Sequence, residues 1–130
     1  MDDKSNPEIW LARARSNLAL GKSIDVENVI IDDLCFELQQ CAEKALKALL
    51  IYYGIEFPKT HDLSELLKLL INRTTIVIPD KVKEAIKLTL YATITRYPNW
   101  NKITKQKYKE ALILAESVYN WVEEQIKDND

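Results

Sequence analysis

Residues 34–52 read LCFELQQCAEKALKALLIY, and the spacing of their apolar side chains sets the architecture of the chain. Asp32 and Asp33 can cap the amino end of a helix here, and Gly54 can end it. We therefore predict a long helix over about residues 33–53. One apolar stripe recurs at the helical period and should face a core: Leu34, Leu38, Cys41, Ala45, Leu49 and Tyr52.

The flanking sequence predicts further helices in both directions. Asn6, Asp62 and Thr104 are placed to cap helices, and Glu65 completes a capping box with Asp62. Gly21 is placed to end the first helix. The predicted helices cover about residues 7–21, 63–70, 79–96 and 104–127. The helix predicted to start at Pro79 carries Val82, Ala85, Ile86, Thr89, Leu90 and Thr93 at helical spacing. Arg96 continues the stripe of Val82, Ala85, Thr89 and Thr93, so we expect it to face the bundle or its cleft.

These elements define the fold class. Residues 74–78, TTIVI, have a strand-like composition, but one isolated strand has no partner, so we expect an extended connection. Amphipathic helices joined by short loops pack as an antiparallel bundle. We predict an all-α fold, an antiparallel four-helix up-and-down bundle with one additional short helix, in a single domain over residues 1–130.

Composition limits the function classes. The chain has 130 residues, 47% hydrophobic and 29% charged, with only two glycines and four prolines, which argues against a sandwich of many short strands. The formal net charge of −2 gives no overall attraction to nucleic acid or membrane. No run approaches the roughly 20 apolar residues of a membrane span. We predict a cytoplasmic protein in which Cys35 and Cys41 are buried free thiols.

The long helix and its surroundings resemble one family. Residues 35–50 and 54–63, then Thr95-Arg96-Tyr97-Pro98 and the helix over 108–122, resemble the HEPN domain family. The resemblance implies a helical bundle that forms a homodimer. It also implies a small nucleotidyltransferase partner, in many cases as a toxin and its antidote. Some HEPN proteins are ribonucleases, and others are proposed to bind nucleotides.

The resemblance also implies a test for ribonuclease chemistry. Active members carry an Arg followed, after four to six intervening residues, by a His. The His acts as a general acid or base near neutral pH, and the Arg stabilises the negative charge that develops on the phosphate. The only histidine here is His61, and the residues at the required offsets before it are Glu56, Ile55 and Gly54. Those at the corresponding offsets after Arg96 are Asn101, Lys102 and Ile103. The pair is absent from the sequence.

Several residues remain candidates for binding. His61 either contacts a base or phosphate, or orders its loop by hydrogen bonds. Arg96 either binds a phosphate or pairs with a carboxylate such as Glu43. Residues 96–109 are basic with interleaved aromatics, which suits an RNA backbone and stacked bases but also a solvated loop. The candidate nucleotide or RNA contacts are Arg96, Tyr97, Lys44, His61, Trp100 and Lys102.

A polar stripe on the long helix has two interpretations. Glu37, Gln40, Lys44 and Lys47 recur at helical spacing, either as a solvated face or as a self-complementary surface in a two-fold dimer. We find no Gly-rich phosphate loop, no catalytic carboxylate pair and no metal-ligand cluster, and predict no cofactor and no metal.

The preferred hypothesis is therefore an interaction module. It is a homodimeric HEPN protein without the Arg–His pair, partnered with a small nucleotidyltransferase in a toxin–antitoxin-like system. The alternatives are a divergent metal-independent ribonuclease using Arg96, Tyr97 and His61, and a nucleotide-binding module using the cleft near Arg96 and Lys44.

Overall fold

The computed structural model describes residues 6–93 and 103–128. These ranges contain α1 (Pro7–Gly21), α2 (Ile31–Tyr52), α3 (Leu63–Arg73), α4 (Asp80–Glu84), a 3₁₀ helix that continues directly from α4 (Ala85–Ala92), and α5 (Lys105–Asp128). They contain no β-strand, and residues 74–78 form the extended connection that the sequence predicts. The all-α class is confirmed. No helix of the described ranges is long and apolar enough to cross a membrane.

Helix α2 is the centre of the bundle. It packs against α1, α3, the 3₁₀ helix and α5, and 13 of its 22 residues are buried. The predicted stripe from Leu34 to Leu49 is buried, and Tyr52 at its end is half-buried. Contacts run in opposite order along α1 and α2, since Asn17 bonds Glu37 and Trp10 lies against Lys47. The two helices are antiparallel, as the predicted bundle requires.

The start of α2 differs from the prediction. The helix begins at Ile31, and the residue at its cap position, Ile30, makes no side-chain capping bond. Asp32 instead accepts a hydrogen bond from the backbone N–H of Ile103 at 3.1 Å, and so ties the connection before α5 to α2. The capping role predicted for Asp32 and Asp33 was wrong, although both lie in the first turn, where negative charge is favourable.

The other predicted caps are largely confirmed. Asn6, Asp62 and Thr104 accept backbone N–H groups two or three residues later at 2.9, 2.9 and 3.1 Å. The Glu65 half of the predicted capping box was wrong, because the N–H of Asp62 donates to Thr60 Oγ1 at 3.0 Å. Three helix starts are thus fixed by short-range hydrogen bonds that the local sequence specifies.

Both glycines lie where helices end, for different reasons. Gly54 follows α2 with φ +70°, the left-handed conformation that glycine adopts without strain. Gly21 ends α1 as predicted, but a Cβ there would lie 2.5 Å from Leu38 Cδ2. The absence of a side chain therefore lets α1 approach α2 closely. The carbonyl of Gly21 also accepts a hydrogen bond from the hydroxyl of Tyr108 on α5, at 2.6 Å.

The fourth helix changes its period after one turn. A 3₁₀ helix has three residues per turn, so Val82, Ala85 and Leu88 fall on one line, and all three are buried. Ile86 and Leu90, which the α-helical period places in the core, are 43% and 54% exposed. That part of the prediction was wrong. The described helical segment ends at Ala92, and Thr93 is exposed.

The two cysteines are buried and unpaired, as predicted. Burial raises the pKa of each thiol to about 12. Cys41 Sγ lies 4.0 Å from the carbonyl oxygen of Ala115, at the contact between α2 and α5. Both side chains are therefore packing residues of the core.

Candidate functional site

A line of polar side chains runs along the buried face of α2. Gln39, Glu43 and Lys47 lie one turn apart, which places them on the same side of the helix. Their exposed fractions are only 0%, 4% and 8%. Charged groups are rarely buried to this extent without partners, because they lose their hydration. The line therefore marks a polar cluster inside the bundle.

The carboxylate of Glu43 is the centre of this polar cluster. Its Oε2 accepts a hydrogen bond from Lys47 Nζ at 2.9 Å, which is also an ion pair. Its Oε1 lies 2.8 Å from His61 Nδ1 and accepts from Gln39 Nε2 at 3.1 Å. Gln40 Nε2 approaches the same oxygen at 3.5 Å and also donates to Gln39 Oε1 at 2.8 Å. Both carboxylate oxygens are thus satisfied by neighbouring side chains.

The same contacts set the protonation state of Glu43. Burial alone raises the pKa of this carboxyl. Hydrogen bonds from Lys47, His61 and Gln39, together with the charge of Lys47, outweigh burial and hold the pKa of Glu43 below its usual value. Glu43 is therefore an anion at neutral pH.

Two aromatic rings surround the ammonium group of Lys47. Its Nζ lies 5.7 Å from the ring centroid of Trp10 and 5.6 Å from that of Phe57, distances at which a cation is attracted to a ring face. The two rings meet edge to face, with their centroids 6.2 Å apart. This arrangement joins α1, α2 and the segment after α2, and it holds the buried cation beside Glu43.

His61 lies where the polar cluster reaches the surface. The side chain is 52% exposed, although its Nδ1 faces the carboxylate of Glu43, whose side chain is only 5% exposed. The backbone carbonyl of His61 accepts a second bond from Gln39 Nε2 at 3.0 Å. Two buried α2 side chains therefore hold both the ring and the backbone of this residue. The hydrogen bonds predicted to order the loop are present, and half of the ring still faces solvent.

The structure does not gather the six predicted contacts into one described site. Arg96, Tyr97, Trp100 and Lys102 lie outside the described residues. Lys44 makes no hydrogen bond to the polar cluster and is one of the charges near the thiol of Cys41, which contacts α5. Of the two predicted contacts that the structure describes, His61 is part of the polar cluster and Lys44 is not.

The polar stripe predicted on α2 is not a uniformly solvated face. Lys47 is buried and paired with Glu43 inside the chain, and Glu37 accepts a hydrogen bond from Asn17 of α1 at 2.8 Å. Gln40 and Lys44 are half-buried. The solvated-face interpretation was therefore wrong for Lys47, whose charge is neutralised within one chain.

The described part of the basic segment has mixed surroundings. Tyr108 is buried and bonds Gly21, so it is not available to stack on a base. Lys107 lines a groove between the 3₁₀ helix and α5 together with Lys87, but Glu110 lines the same groove. The groove therefore carries both signs of charge, and its described residues do not form a uniformly basic track.

Comparison with known proteins identifies the family. The model of the HEPN domain matches residues 7–125. The chain belongs to the HEPN domain family. A similar solved structure is that of TT1696 from Thermus thermophilus, with 31% identity, a TM-score of 0.74, and coverage of 95% of this chain and 98% of that one. ST0689, an archaeal HEPN homologue, has 27% identity and a TM-score of 0.69, and the match covers 93% of this chain and 98% of that one. No curated protein matches the chain.

One signal for the polar cluster was present in the sequence of this HEPN chain. Gln39, Glu43 and Lys47 are spaced by four residues, so they share a side of α2. The neighbouring stripe through Glu37 and Lys44 has similar helical spacing, and periodicity alone does not tell which polar line is covered. In the described ranges, no group of three or more His, Cys, Asp or Glu side chains could hold a metal ion.

Proposed function

We propose that this chain is a cytoplasmic, homodimeric HEPN module that works with a small nucleotidyltransferase in a toxin–antitoxin-like pair, without the Arg–His ribonuclease chemistry of active HEPN proteins. The observation that carries the proposal is the sequence around the single histidine. The motif requires an arginine at one of three positions before His61, and these positions hold Glu56, Ile55 and Gly54. Without that arginine, the motif lacks its phosphate clamp.

The surroundings of His61 support this proposal. Among the residues that the structure describes, its charged partner is the carboxylate of Glu43, at 2.8 Å, and not a guanidinium. An anion beside the ring does not stabilise the negative charge that develops on phosphate during RNA cleavage. Among the described arginines, Arg15 is engaged elsewhere, with its Nε donating to Tyr119 at 2.8 Å, and none bonds His61.

The partnership is tested by co-expression with the product of the adjacent reading frame. The chain carries a removable tag, and the complex is isolated and measured by light scattering. We expect a nucleotidyltransferase-sized partner at a fixed ratio to a dimer of this chain. Another small helical protein with the same tag is the control. If the adjacent frame encodes no nucleotidyltransferase, or if its product does not co-purify, the partnership is rejected.

A second candidate function is nucleotide or RNA binding at His61. The observation that favours it is an exposed ring anchored to a buried ion pair. Such a pair contributes little net stability, because desolvation opposes the Coulomb attraction. A role in holding a binding residue would explain why the chain carries one. Calorimetric titration and thermal shift with common nucleotides, using His61→Ala as control, test this function. The absence of both heat and shift rejects it.

The rival enzymatic function is a divergent ribonuclease that uses Arg96, Tyr97 and His61. It requires that the pure protein degrade RNA without added metal. It also requires that Arg96→Ala abolish the degradation while the circular dichroism spectrum is unchanged. The absence of cleavage across a range of ionic strength rejects this function.

A further inference from the structure

The segment that joins α3 to α4, residues 74–78, has an extended backbone. Thr74 at its start has φ −136° and ψ 172°, and Pro79 directly after it has φ −61° and ψ 151°. No residue between them has a positive φ, and the segment contains no turn or bend. It therefore has the conformation of a β-strand, although it pairs with no strand in the described ranges.

The side chains of this segment alternate between the bundle and the solvent, as those of a strand do. Ile78 is only 5% exposed and belongs to the core, and Ile76 is half-buried against the same core. Thr75 is exposed, and Val77 is 87% exposed, the most of any large apolar residue in the described ranges. One face of the segment is thus packed on its own chain, and the other presents an apolar side chain to solvent.

The backbone groups of Thr75 and Val77 form a free edge. In an extended chain the N–H and C=O of one residue point to one side, and those of the next residue point to the other. On the first side, the N–H of Thr74 donates to the carbonyl of Leu70 at 3.1 Å and that of Ile76 to Thr74 Oγ1 at 3.4 Å. On the other side, Thr75 and Val77 make no backbone hydrogen bond with a described residue. They present two donors and two acceptors in a row.

The segment lacks the features that usually protect such an edge. Unpaired strand edges are commonly blocked by charged side chains, prolines or bulges, because they otherwise pair with another chain. Residues 74–78 contain no charged residue, no proline and no glycine. Arg73 precedes them, and Pro79 and Asp80 follow. These flanking residues limit the length over which the edge can pair, but they do not prevent pairing within it.

We propose that this edge pairs with the same edge of a second copy, as an antiparallel two-stranded ribbon whose two-fold axis passes at Ile76. The proposal rests on the homodimer of the proposed function and assigns one of its contacts. Thr75 of each copy then lies opposite Val77 of the other, and the two residues of each pair exchange both backbone hydrogen bonds. Two pairs with two bonds each use every free donor and acceptor of both edges. A second copy fits because the edge is its own complement after a half turn.

A proline at position 77 tests the ribbon in the full chain. Val77→Pro removes one donor from each copy and keeps an extended backbone, because proline fixes φ near about −65°. We expect the dissociation constant of the dimer, measured by sedimentation equilibrium, to rise about tenfold or more, the effect of two lost hydrogen bonds. The matched control is Val77→Thr, which keeps the N–H and the β-branched shape and should stay within about threefold of the wild type.

A disulfide experiment tests the register. Thr75→Cys and Val77→Cys chains carrying tags of different size are mixed and oxidised. The Cα atoms of a hydrogen-bonded pair lie about 5.5 Å apart, within the reach of a disulfide, whereas the diagonal 75–75 and 77–77 positions lie about 7–8 Å apart. We expect the mixed 75–77 disulfide to exceed either homodisulfide severalfold. Cys35 and Cys41 are buried, with pKa about 12, and do not compete.

The failures of the ribbon and of the homodimer are distinguishable. A dimer whose dissociation constant is the same in Val77→Pro leaves the homodimer intact and overturns the ribbon, as does a mixed disulfide no more abundant than the homodisulfides. A chain that stays monomeric at all concentrations overturns both. If that monomer binds the nucleotidyltransferase and loses it in Val77→Pro, the edge belongs to that partner, and the ribbon is again overturned. If Val77→Pro changes the helical circular dichroism spectrum, the disulfide yields decide alone.

Discussion

Replacing Lys47 by methionine tests whether the polar cluster is a linked unit. The Lys47 and Glu43 side chains are 9% and 5% exposed, and their charged atoms are 2.9 Å apart. Lys47→Met removes the cation and keeps much of the apolar stem that packs against Trp10 and Phe57. Glu43 is then left as a buried anion whose remaining donors are His61, Gln39 and a more distant Gln40.

The expected loss follows from the burial. Removing one partner of a buried ion pair destabilises a protein by about 3–5 kcal/mol, because the other charge stays buried without compensation. The remaining donors to Glu43 place this variant near the lower end, at about 3 kcal/mol. A second change, Glu43→Leu, removes the orphaned charge. The double variant should therefore recover about 2 kcal/mol relative to Lys47→Met.

Urea denaturation followed by circular dichroism measures these differences. The matched control is Lys127→Met, because Lys127 and Glu123 are also four residues apart but their charged atoms are 3.7 Å apart and their side chains 64% and 30% exposed. We expect the control to stay within about 0.5 kcal/mol of the wild type. The reasoning about a linked buried pair is refuted if Lys47→Met loses no more stability than Lys127→Met. It is also refuted if the loss in the double variant equals the sum of the losses in Lys47→Met alone and Glu43→Leu alone.

Three further predictions concern other features. Because the pKa of Glu43 is held below its usual value, the stability that this carboxylate contributes is present above about pH 4.3 and lost as the pH falls further. On acidification, the urea midpoint should therefore fall less in Glu43→Gln than in the wild type. The buried thiols of Cys35 and Cys41, with pKa about 12, should react with a disulfide reagent at least about a hundredfold more slowly in the folded than in the unfolded chain; equal rates contradict their burial. Gly21→Ala should lower the free energy of unfolding by about 1–3 kcal/mol, because the new Cβ overlaps the buried Leu38; stabilisation from helix propensity alone is the contrary result.

The sequence predicted those parts of the fold that depend on local interactions. The apolar period of α2, the caps at Asn6, Asp62 and Thr104, and the left-handed Gly54 each follow from residues within one or two turns. The predicted start of α2 was wrong because Asp32 does not cap the helix. It accepts a hydrogen bond from Ile103, which is distant in the sequence. Capping preference does not reveal such a long-range partner.

The 3₁₀ helix and the polar cluster were missed because they depend on packing. The composition of residues 85–92 is compatible with an α-helix, so the local sequence does not indicate the tighter period, although this segment packs against α2, α3 and α5. Likewise, the spacing of Gln39, Glu43 and Lys47 places them on one side of α2. These side chains are buried because α1 and the segment after α2 that contains Phe57 and His61 cover them. That His61 contacts a nucleotide or RNA stays a prediction. The buried polar residues beside it could be identified only from the structure.

The most direct test of the central proposal, that this HEPN chain does not act as a ribonuclease, is to incubate the purified protein with structured and single-stranded RNA and resolve the products on a denaturing gel. We expect the RNA to remain intact at a molar excess of protein, with and without added divalent metal. Cleavage by the wild type that disappears in His61→Ala or Arg96→Ala, with the helical spectrum of each variant unchanged, would contradict the account.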